Sequence, residues 1–392
     1  MKASEFYNSL KIDKSIAEKL NFNPYYINLN SGISGIVRIG QEYYYDLASN
    51  NYLGLSSDKR IIEVMQESLF KYGTSMCGTP IATGYLDKLN ELEKRLASFI
   101  GLQDAIIFPS CYQANTGVFS SMASKDDLIL VDHYAHSSLL QGIRSAGCKI
   151  KPFLHNNMNH LIKNLEKSSH FRKKFIVTES VFSTEGTIAP MDEISNICKH
   201  YDAIPVLDDS HGIGVIGKTG RGILEKQNIL NFEGIYTASL GKALANIGGV
   251  IAGNSNLIDN LRYSCGNFIY STAIPPVMIC GLLKTIEILE NEFTFLNLRL
   301  LNNKQKIINT LTSRGFKLHN GEAPIISIKC GSAENTIYSA RQFFENRMLT
   351  TPFIPPSIPQ NQGVLRLIPG AGLKENDITE IVKAINKIQA LK

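Results

Sequence analysis

After Gly101, short apolar runs alternate with helix-length segments, and this alternation limits the possible fold more than any other feature of the chain. The apolar runs are DAIIFPS, DLILVD, KIKPFLH, KFIVTES, IPVLDDS, IYTASL and VIAG. Helical patterns such as CYQANTGVFSSMA and MDEISNICKHYD lie between several of them. Because buried strands that alternate with helices form sheets covered on both faces, the pattern predicts an α/β fold with a large, mostly parallel sheet.

The pattern changes twice along the chain and predicts three segments. Residues 1–57 are expected to hold a helix near residues 4–20 and a hairpin around Gly40. Residues 58–277 carry the strands and helices of the large domain. From Met278 a long helical pattern leads into strands and a last helix, so residues 278–392 are predicted to form a smaller α+β domain.

Charge and cysteine content argue against several classes of protein. The net charge of +5 is spread along 392 residues, which does not favour nucleic-acid binding. Seven cysteines without a C-x-x-C pair indicate reduced thiols rather than a disulfide framework or a metal site. The N-terminus lacks the apolar core of a signal peptide, and no apolar run reaches about 18 residues. We therefore expect a cytoplasmic protein without a membrane span.

Polar clusters directly follow five of the predicted strands. They occupy residues 110–112, 133–136, 179–183, 208–211 and 239–242. Ligands of parallel sheets collect at the carboxyl ends of the strands. The sequence therefore predicts one shared site built from these clusters.

Lys242 is the only charged residue in TASLGKALANIGGVIAG. A lysine that loses hydration has a lowered pKa, and its neutral amine can form a Schiff base with an aldehyde cofactor. Asp208, in VLDDSHG, could then face a pyridinium nitrogen. The simpler interpretations are a surface lysine at a loop end and a helix N-cap within the DDS triplet.

Two further residues fit an aromatic, phosphorylated cofactor. Ser110 precedes a helical segment whose free N-terminal amides could bind a phosphate, although most helix N-termini bind water. His136 could stack on an aromatic ring, although a lone histidine is usually a hydrogen-bonded polar residue.

Taken together, the motifs resemble those of the α-oxoamine synthases, which are pyridoxal-phosphate enzymes of the aspartate aminotransferase fold, fold type I. The matching blocks run in order from Leu47 to VLRLIPG. They are SNNYLGL, SCYQAN, HYAHSSLLQG, TESVFSTEGTIAPM, DDSHGIGVIGKTGRG, SLGKAL and IYSTAIPP.

The resemblance implies catalytic roles for four residues. Lys242 would form the covalent link to pyridoxal 5'-phosphate and later act as the general base. Asp208 would face the pyridine nitrogen, His211 would hydrogen-bond the phenolic oxygen, and His136 would stack on the ring.

Further contacts are implied for the cofactor and the amino-acid substrate. Backbone amides of Cys111 and Tyr112, with the Ser239 hydroxyl, would hold the phosphate, and Ser183 would lie against the cofactor. Ser271 and Thr272 would reach the phosphate from the partner subunit of a homodimer. The two residues expected near the substrate carboxylate are Asn50 and Arg366.

The implied reaction joins an amino acid to an acyl-CoA thioester, usually with loss of carbon dioxide, and gives an α-amino ketone. LDKLNELEKRLASFIG, PFLHNNMNHL and STEGTIAPM resemble the autoinducer synthases of α-hydroxyketone quorum sensing. Leu89 stands where the biotin and threonine enzymes usually carry histidine, and PGAGLKEND lacks another usual histidine. We therefore favour the autoinducer branch. The alternatives are 8-amino-7-oxononanoate synthase, which joins alanine to a pimeloyl thioester, and glycine C-acetyltransferase.

Two other classes are weighed against these. An aminotransferase would share the fold, but the blocks around His136 and SNNYLGL fit it poorly. A non-catalytic scaffold would be expected to lack Lys242 or Asp208, and both are present.

Overall fold

The computed structural model describes residues 2–10 and 15–391, without the side chain of Ala17. The helices in chain order are α1 (Ala3–Ser9), α2 (Ser15–Lys19), α3 (Lys59–Tyr72), α4 (Asp87–Ile100), α5 (Cys111–Met122), α6 (Ser137–Ser145), α7 (Met158–Glu166), α8 (Met191–His200), α9 (Ile223–Lys226), α10 (Ser255–Ser264), α11 (Gly266–Ile269), α12 (Pro276–Ser313), α13 (Ala333–Glu345) and α14 (Glu375–Ile385). The strands are β1 (Ile36–Ile39), β2 (Glu42–Asp46), β3 (Asp104–Phe108), β4 (Leu128–Asp132), β5 (Lys149–Phe153), β6 (Lys174–Glu179), β7 (Ile204–Asp208), β8 (Ile235–Ser239), β9 (Gly249–Gly253), β10 (Ile326–Gly331), β11 (Met348–Leu349), β12 (Thr351–Phe353) and β13 (Gly363–Leu367).

The largest sheet in the described part of the chain has seven strands in the order β3-β9-β8-β7-β6-β4-β5. Strands β8, β7, β6, β4 and β5 run parallel, while β9 is antiparallel to both of its neighbours. Each of the seven apolar runs forms one of these strands, which confirms the predicted α/β fold with a mostly parallel sheet.

Both faces of this sheet are covered, as the apolar strands require. Along β3, Ala105 and Ile107 pack into one buried cluster, and Ile106 and Phe108 pack into another on the opposite face. Helices α4 and α12 cover the first face, and α5, α6 and α10 cover the second. Such a sheet leaves its strand ends as the place where a ligand can bind.

Two smaller three-stranded sheets involve the C-terminal part of the chain. One has the order β10-β13-β12, and the other has the order β1-β2-β11. The predicted hairpin around Gly40 forms as β1 and β2, and β2 pairs in parallel with β11, which lies about 300 residues later in the sequence. The division into residues 1–57, 58–277 and 278–392 stays a prediction.

The helix predicted near residues 4–20 corresponds to α1 and α2, and residues 11–14 between them lie outside the described residues. The long helix predicted from Met278 is α12, which begins at Pro276. None of the helices in the described ranges combines the length and the apolar character needed to cross a bilayer.

The strand ends place several polar side chains at one edge of the large sheet. Asp132 ends β4, Glu179 ends β6, Asp208 ends β7 and Ser239 ends β8. At the same edge the chain passes from β3 into α5, and Ser110 caps this helix by accepting a hydrogen bond from the backbone N–H of Gln113 at 3.2 Å.

Candidate active site

A cavity of about 280 Å³ lies at the carboxyl ends of the parallel strands. Its wall brings together residues from all five strand-end clusters, separated by more than 100 positions in the sequence. Six of the predicted cofactor residues line it: Cys111, Tyr112, His136, Asp208, Ser239 and Lys242. The structure therefore places half of the predicted site residues around one space.

Lys242 lies in the turn between β8 and β9. This turn is held by the backbone N–H of Leu240 donating to Gly248 at 3.0 Å and that of Ala245 donating to Lys242 at 2.9 Å. Removal of water from the amine lowers the pKa of Lys242, and the nearby carboxyl of Asp208 partly opposes this effect. A lowered pKa makes a neutral, nucleophilic amine accessible in the cavity.

The Asp208 carboxylate is held by two donors at the end of β7. The side-chain amide of Asn115 donates to Oδ2 at 2.7 Å, and the backbone N–H of Ser210 donates to Oδ1 at 3.0 Å. The hydroxyl of Thr237 donates to Oδ1 of Asn115 at 2.7 Å, so the Asn115 amide can present only its NH₂ group to Asp208. The carboxylate is thereby fixed in the orientation in which it lines the cavity.

His136 is the N-cap residue of α6, and its ring faces the cavity. Nδ1 accepts a hydrogen bond from the backbone N–H of Ser138 at 3.2 Å and lies 2.8 Å from the Ser138 hydroxyl. Burial lowers the pKa of His136. A neutral ring in a fixed orientation is suited to stacking on a flat aromatic ligand.

The N-terminus of α5 offers donors to an anion. The first N–H groups of a helix have no partner within the helix and lie at its positive end. A Cβ atom on Gly249 would lie 2.5 Å from the backbone nitrogen of Cys111, so only glycine lets β9 approach the first turn of α5 this closely. Ser210 and Ser239 complete this corner, where the Ser239 backbone N–H donates to the Ser210 hydroxyl at 2.9 Å.

His211 is buried beside the cavity but does not line it. Its Nδ1 is hydrogen-bonded to the hydroxyl of Tyr52 at 2.8 Å, and the two rings meet edge to face. Burial, reinforced by the positive charges of Lys242 and Arg366, lowers the pKa of His211, and the imidazole is therefore neutral.

Arg366 and Ser183 lie together behind this region. The Arg366 guanidinium donates from Nη1 to the Ser183 carbonyl at 3.2 Å. It also stacks on Phe353, with its Cζ 5.0 Å from the centre of the ring. Nε of Arg366 and Oδ1 of Asn50 are buried, and each has no hydrogen-bond partner among the described residues. Unpartnered buried polar atoms are costly, so both side chains remain available for a polar ligand.

Ser183 lines a second cavity of about 550 Å³. Apolar side chains on its wall include Leu140, Phe182 and Ile358, and residues 356–359 and 361–363 form one side. This second cavity is about twice as large as the first.

Ser271 and Thr272 do not line the first cavity within the same chain. The Ser271 hydroxyl accepts a hydrogen bond from the side chain of Gln113 at 3.1 Å, and Thr272 is exposed. Their expected contact with the phosphate concerned a partner subunit, and it stays a prediction.

The sequence analysis assigned no role to several side chains that hold this site together. They are Tyr52, Asn115, Ser138, Glu179 and Ser210. Tyr52 and Asn115 do fall within the motifs SNNYLGL and SCYQAN, and Glu179 opens the cluster at residues 179–183. Motif position was thus a signal for them, but their partners are far away in the sequence.

The comparisons with known proteins agree with this geometry. The family model described as aminotransferase class I and II matches residues 43–385. The chain belongs to this family. A putative 8-amino-7-oxononanoate synthase of Bacillus licheniformis is 32% identical over 90% of this chain and 92% of that protein. A serine palmitoyltransferase of Sphingobacterium spiritivorum is 31% identical over 87% of this chain and 85% of that protein.

Solved structures show the same fold. A serine palmitoyltransferase of S. paucimobilis has a TM-score of 0.93 at 23% identity and covers 99% of this chain and 98% of its own. An 8-amino-7-oxononanoate synthase of Francisella tularensis has a TM-score of 0.75 at 28% identity and covers 88% of this chain and 97% of its own.

These relatives confirm that the chain is an α-oxoamine synthase, a pyridoxal-phosphate-dependent acyltransferase of fold type I. The autoinducer branch finds no support in them. Their names fit the alternative, 8-amino-7-oxononanoate synthase, better.

Proposed function

We propose that the first cavity is the active site in which the chain condenses an amino acid with an acyl-CoA thioester. The observation that carries this proposal is the meeting of Lys242 and Asp208 in one small cavity at the N-terminus of α5. An amine with a lowered pKa, a fixed carboxylate and an anion-binding helix end are the three groups that pyridoxal phosphate requires.

The residues fit the cofactor at each of its functional groups. Ser239 and the first amides of α5 would hold the phosphate, Asp208 would keep the ring nitrogen protonated, and His136 would cover the ring. When bound, pyridoxal phosphate supplies an electron sink for the charge that forms when the α-proton leaves. Lys242 would bind the aldehyde carbon covalently, and its Nζ, once displaced by the amino acid, would accept the α-proton.

His211 acts from behind the cavity in this proposal. Its neutral ring is oriented by Tyr52, so that the nitrogen facing away from Tyr52 can hydrogen-bond the phenolic oxygen of the cofactor. Ser183 would lie against the cofactor at the border with the second cavity.

The amino acid is assigned to the buried, unpartnered polar atoms of Arg366 and Asn50, and the acyl thioester is assigned to the second cavity. Arg366 would bind the amino-acid carboxylate through its guanidinium, with Asn50 close by, because both retain unpartnered buried atoms. The second cavity, with its apolar wall, would accept the acyl thioester.

The homodimer also belongs to this proposal. Ser271 and Thr272 of one subunit would reach the phosphate in its partner, so an isolated subunit would bind the cofactor weakly. A cytoplasmic location is likewise proposed, on the basis of the sequence and the relatives.

We propose 8-amino-7-oxononanoate synthase as the individual activity, because relatives of this name match at 32–34% identity over most of the chain. The expected substrates are then alanine and a pimeloyl thioester. Serine palmitoyltransferase is the second candidate, since a relative of that name matches at 31%.

The cofactor proposal is tested by borohydride reduction of the purified protein followed by peptide mass spectrometry. We expect the reduced cofactor on Lys242 and its loss in Lys242→Ala. Lys125→Ala, which removes an exposed lysine, is the matched control and should keep the label. A label on another lysine, or none at all, would overturn the assignment.

The substrate proposal is tested by following thiol release from a matrix of substrates. Glycine, alanine, serine and 2-aminobutyrate are each paired with acetyl-, pimeloyl-, decanoyl- and palmitoyl-CoA. Turnover of alanine with the pimeloyl thioester supports the first candidate, and turnover of serine with palmitoyl-CoA supports the second. Turnover restricted to medium acyl chains would return the chain to the autoinducer branch.

A further inference from the structure

Three carboxyl groups end three neighbouring strands of the large sheet. Asp132 ends β4, Glu179 ends β6 and Asp208 ends β7, and these strands lie side by side in the order β7-β6-β4. All three are buried. Glu179 and Asp208 are paired directly across the parallel strands, so their side chains leave the sheet on the same face, and both line the first cavity. Val131 of β4 is paired with Val177 of β6, so the side chain of Asp132 leaves the sheet on the face opposite to that of Glu179. We call Asp132, Glu179 and Asp208 the carboxyl row.

The outer two members of the carboxyl row are well supplied with hydrogen-bond donors. Asp132 accepts from the backbone N–H groups of Tyr134 at 2.9 Å and Asn156 at 3.0 Å, and it lies 3.2 Å from Nδ1 of His155. Asp208 accepts from Asn115 and from the backbone of Ser210, as described above. Donors of this kind stabilise the ionised form of a carboxyl group.

Glu179, on the middle strand, has few hydrogen-bond donors for its carboxyl group. Among the residues that the structure describes, no side chain donates a hydrogen bond to its carboxyl group, and the backbone N–H of His136 is the one donor that favours its ionised form. It is desolvated, and Asp208 on one side and Asp132 on the other both act against its ionisation. Two adjacent carboxylates in a dry site cannot both keep their charge, so the better supplied one ionises and the other holds a proton.

We propose that Glu179 is the protonated member of the carboxyl row and serves the cofactor cavity as a neutral hydrogen-bond donor. Its O–H leaves Asp208 as the ionised carboxyl group of the pair. Glu179 is thus a positioning residue that keeps the local charge suited to an anionic cofactor. The inference rests on the proposed cofactor site for its consequence, but not for the protonation itself.

Among the described residues, five charged or titratable groups on the surrounding elements lie near Glu179. They are Asp208 on β7, Asp132 on β4, Cys111 at the start of α5, His136 at the start of α6 and Lys242 after β8. Burial and Asp208 raise the pKa of Glu179 well above the usual value, and Lys242 opposes them. At a sufficiently alkaline pH, Glu179 ionises and adds a second negative charge beside Asp208.

The protonation is tested first on the cofactor-free protein by infrared spectroscopy. The spectrum of Glu179→Gln is subtracted from that of the wild type, both near neutral pH. We expect the carbonyl band of one protonated carboxylic acid in the difference. A carboxylate band in its place would overturn the proposal. If the glutamine variant does not fold, Glu179→Met, which is neutral and of similar length, allows the same subtraction.

Amine labelling of Lys242 across a pH series is a second test on the cofactor-free protein. If Glu179 is neutral, the labelling midpoints of the wild type and Glu179→Gln coincide. If Glu179 is ionised, the glutamine variant loses an attractive charge and its midpoint falls by about one pH unit or more, which would refute the proposal. Asp208→Asn is the matched positive control, because removal of an ionised carboxyl group should lower the midpoint.

The effect on cofactor binding is measured as the affinity of the protein for pyridoxal phosphate at different pH values. In the pH range where the infrared band disappears, we expect wild-type affinity for pyridoxal phosphate to fall roughly tenfold and that of Glu179→Gln to stay level. A parallel decline in both proteins would contradict the positioning role. If no cofactor binds at any pH, the proposed function fails, while the two cofactor-free measurements still decide the protonation of Glu179.

Discussion

Asn115→Asp tests the support of Asp208 directly. The substitution keeps the shape of the side chain and an oxygen that can accept from Thr237. It replaces the NH₂ group, 2.7 Å from the Asp208 carboxylate, by a second carboxyl oxygen. Two buried carboxylates would then face each other at hydrogen-bond distance.

The magnitude follows from comparing two ways in which the folded protein can respond. If both groups stay ionised at 2.7 Å, their repulsion is about 6 kcal/mol at an effective dielectric constant of about 20. If the introduced carboxyl instead takes up a proton at about pH 7, each pH unit above its reference pKa of about 4 costs about 1.36 kcal/mol, and the total free-energy cost is about 4 kcal/mol. Proton uptake is the less costly response, and the new O–H restores the hydrogen bond to Asp208.

The variant should therefore be about 4 kcal/mol less stable than the wild type near pH 7. Because its folded state binds a proton that its unfolded state does not, the deficit should shrink by about 1.4 kcal/mol for each pH unit as the pH falls toward about 4. Urea unfolding of the cofactor-free proteins, at one fixed protein concentration and several pH values, measures this difference.

The control is Asn115→Ala, which removes the same donor without adding a titratable group. Its loss of stability should change much less than that of Asn115→Asp between about pH 5 and about pH 7. A deficit of Asn115→Asp that does not change between about pH 5 and about pH 7 would show that Asp208 and residue 115 are not in contact, and would refute the reasoning.

Three further predictions concern the surroundings of the site. Tyr52→Phe leaves the buried Nδ1 of His211 without its partner, so urea unfolding should show a loss of about 1–3 kcal/mol; no change would mean that this hydrogen bond is absent. Burial raises the pKa of Asp209 to about 7 in the folded protein. The stability of the wild type should therefore fall relative to that of Asp209→Asn as the pH rises from about 4 to about 7. A constant difference between the two proteins in urea unfolding would contradict this. Gly249→Ala would place a Cβ 2.5 Å from the Cys111 backbone nitrogen and should weaken pyridoxal-phosphate affinity, measured by absorbance titration, at least tenfold; unchanged affinity would remove the end of α5 from the phosphate site.

The main fold could be predicted because local pattern and tertiary structure agree along most of the chain. Each of the seven apolar runs became a strand of the large sheet. Most of these runs lack polar alternation and are buried on both faces, whereas β5, the outermost strand with two lysines, is largely exposed. The small C-terminal sheets are different. Strand β11 has two residues, and its pairing with β2 depends on contacts that no local pattern shows.

Much of the candidate site could also be predicted, because strand ends of a parallel sheet converge whatever the loops contain. Lys242, Asp208 and His136 come from different clusters and line one cavity. The choice among family members was less well founded, because it relied on isolated substitutions such as Leu89. That side chain lies on α4, is buried in the core and does not line either cavity.

The sequence by itself determined the order of strands and helices, the lysine with its apolar neighbours, and the polar clusters at the strand ends. These features are local, because a few adjacent residues specify each of them. Only the tertiary structure decided which side chains became partners. Tyr52 reaches His211 across 159 positions, and Asn115 reaches Asp208 across 93. Such pairs, and the protonation of a carboxyl row drawn from three strands, depend on the packing of the sheet and on the exclusion of water, which no short stretch of sequence encodes.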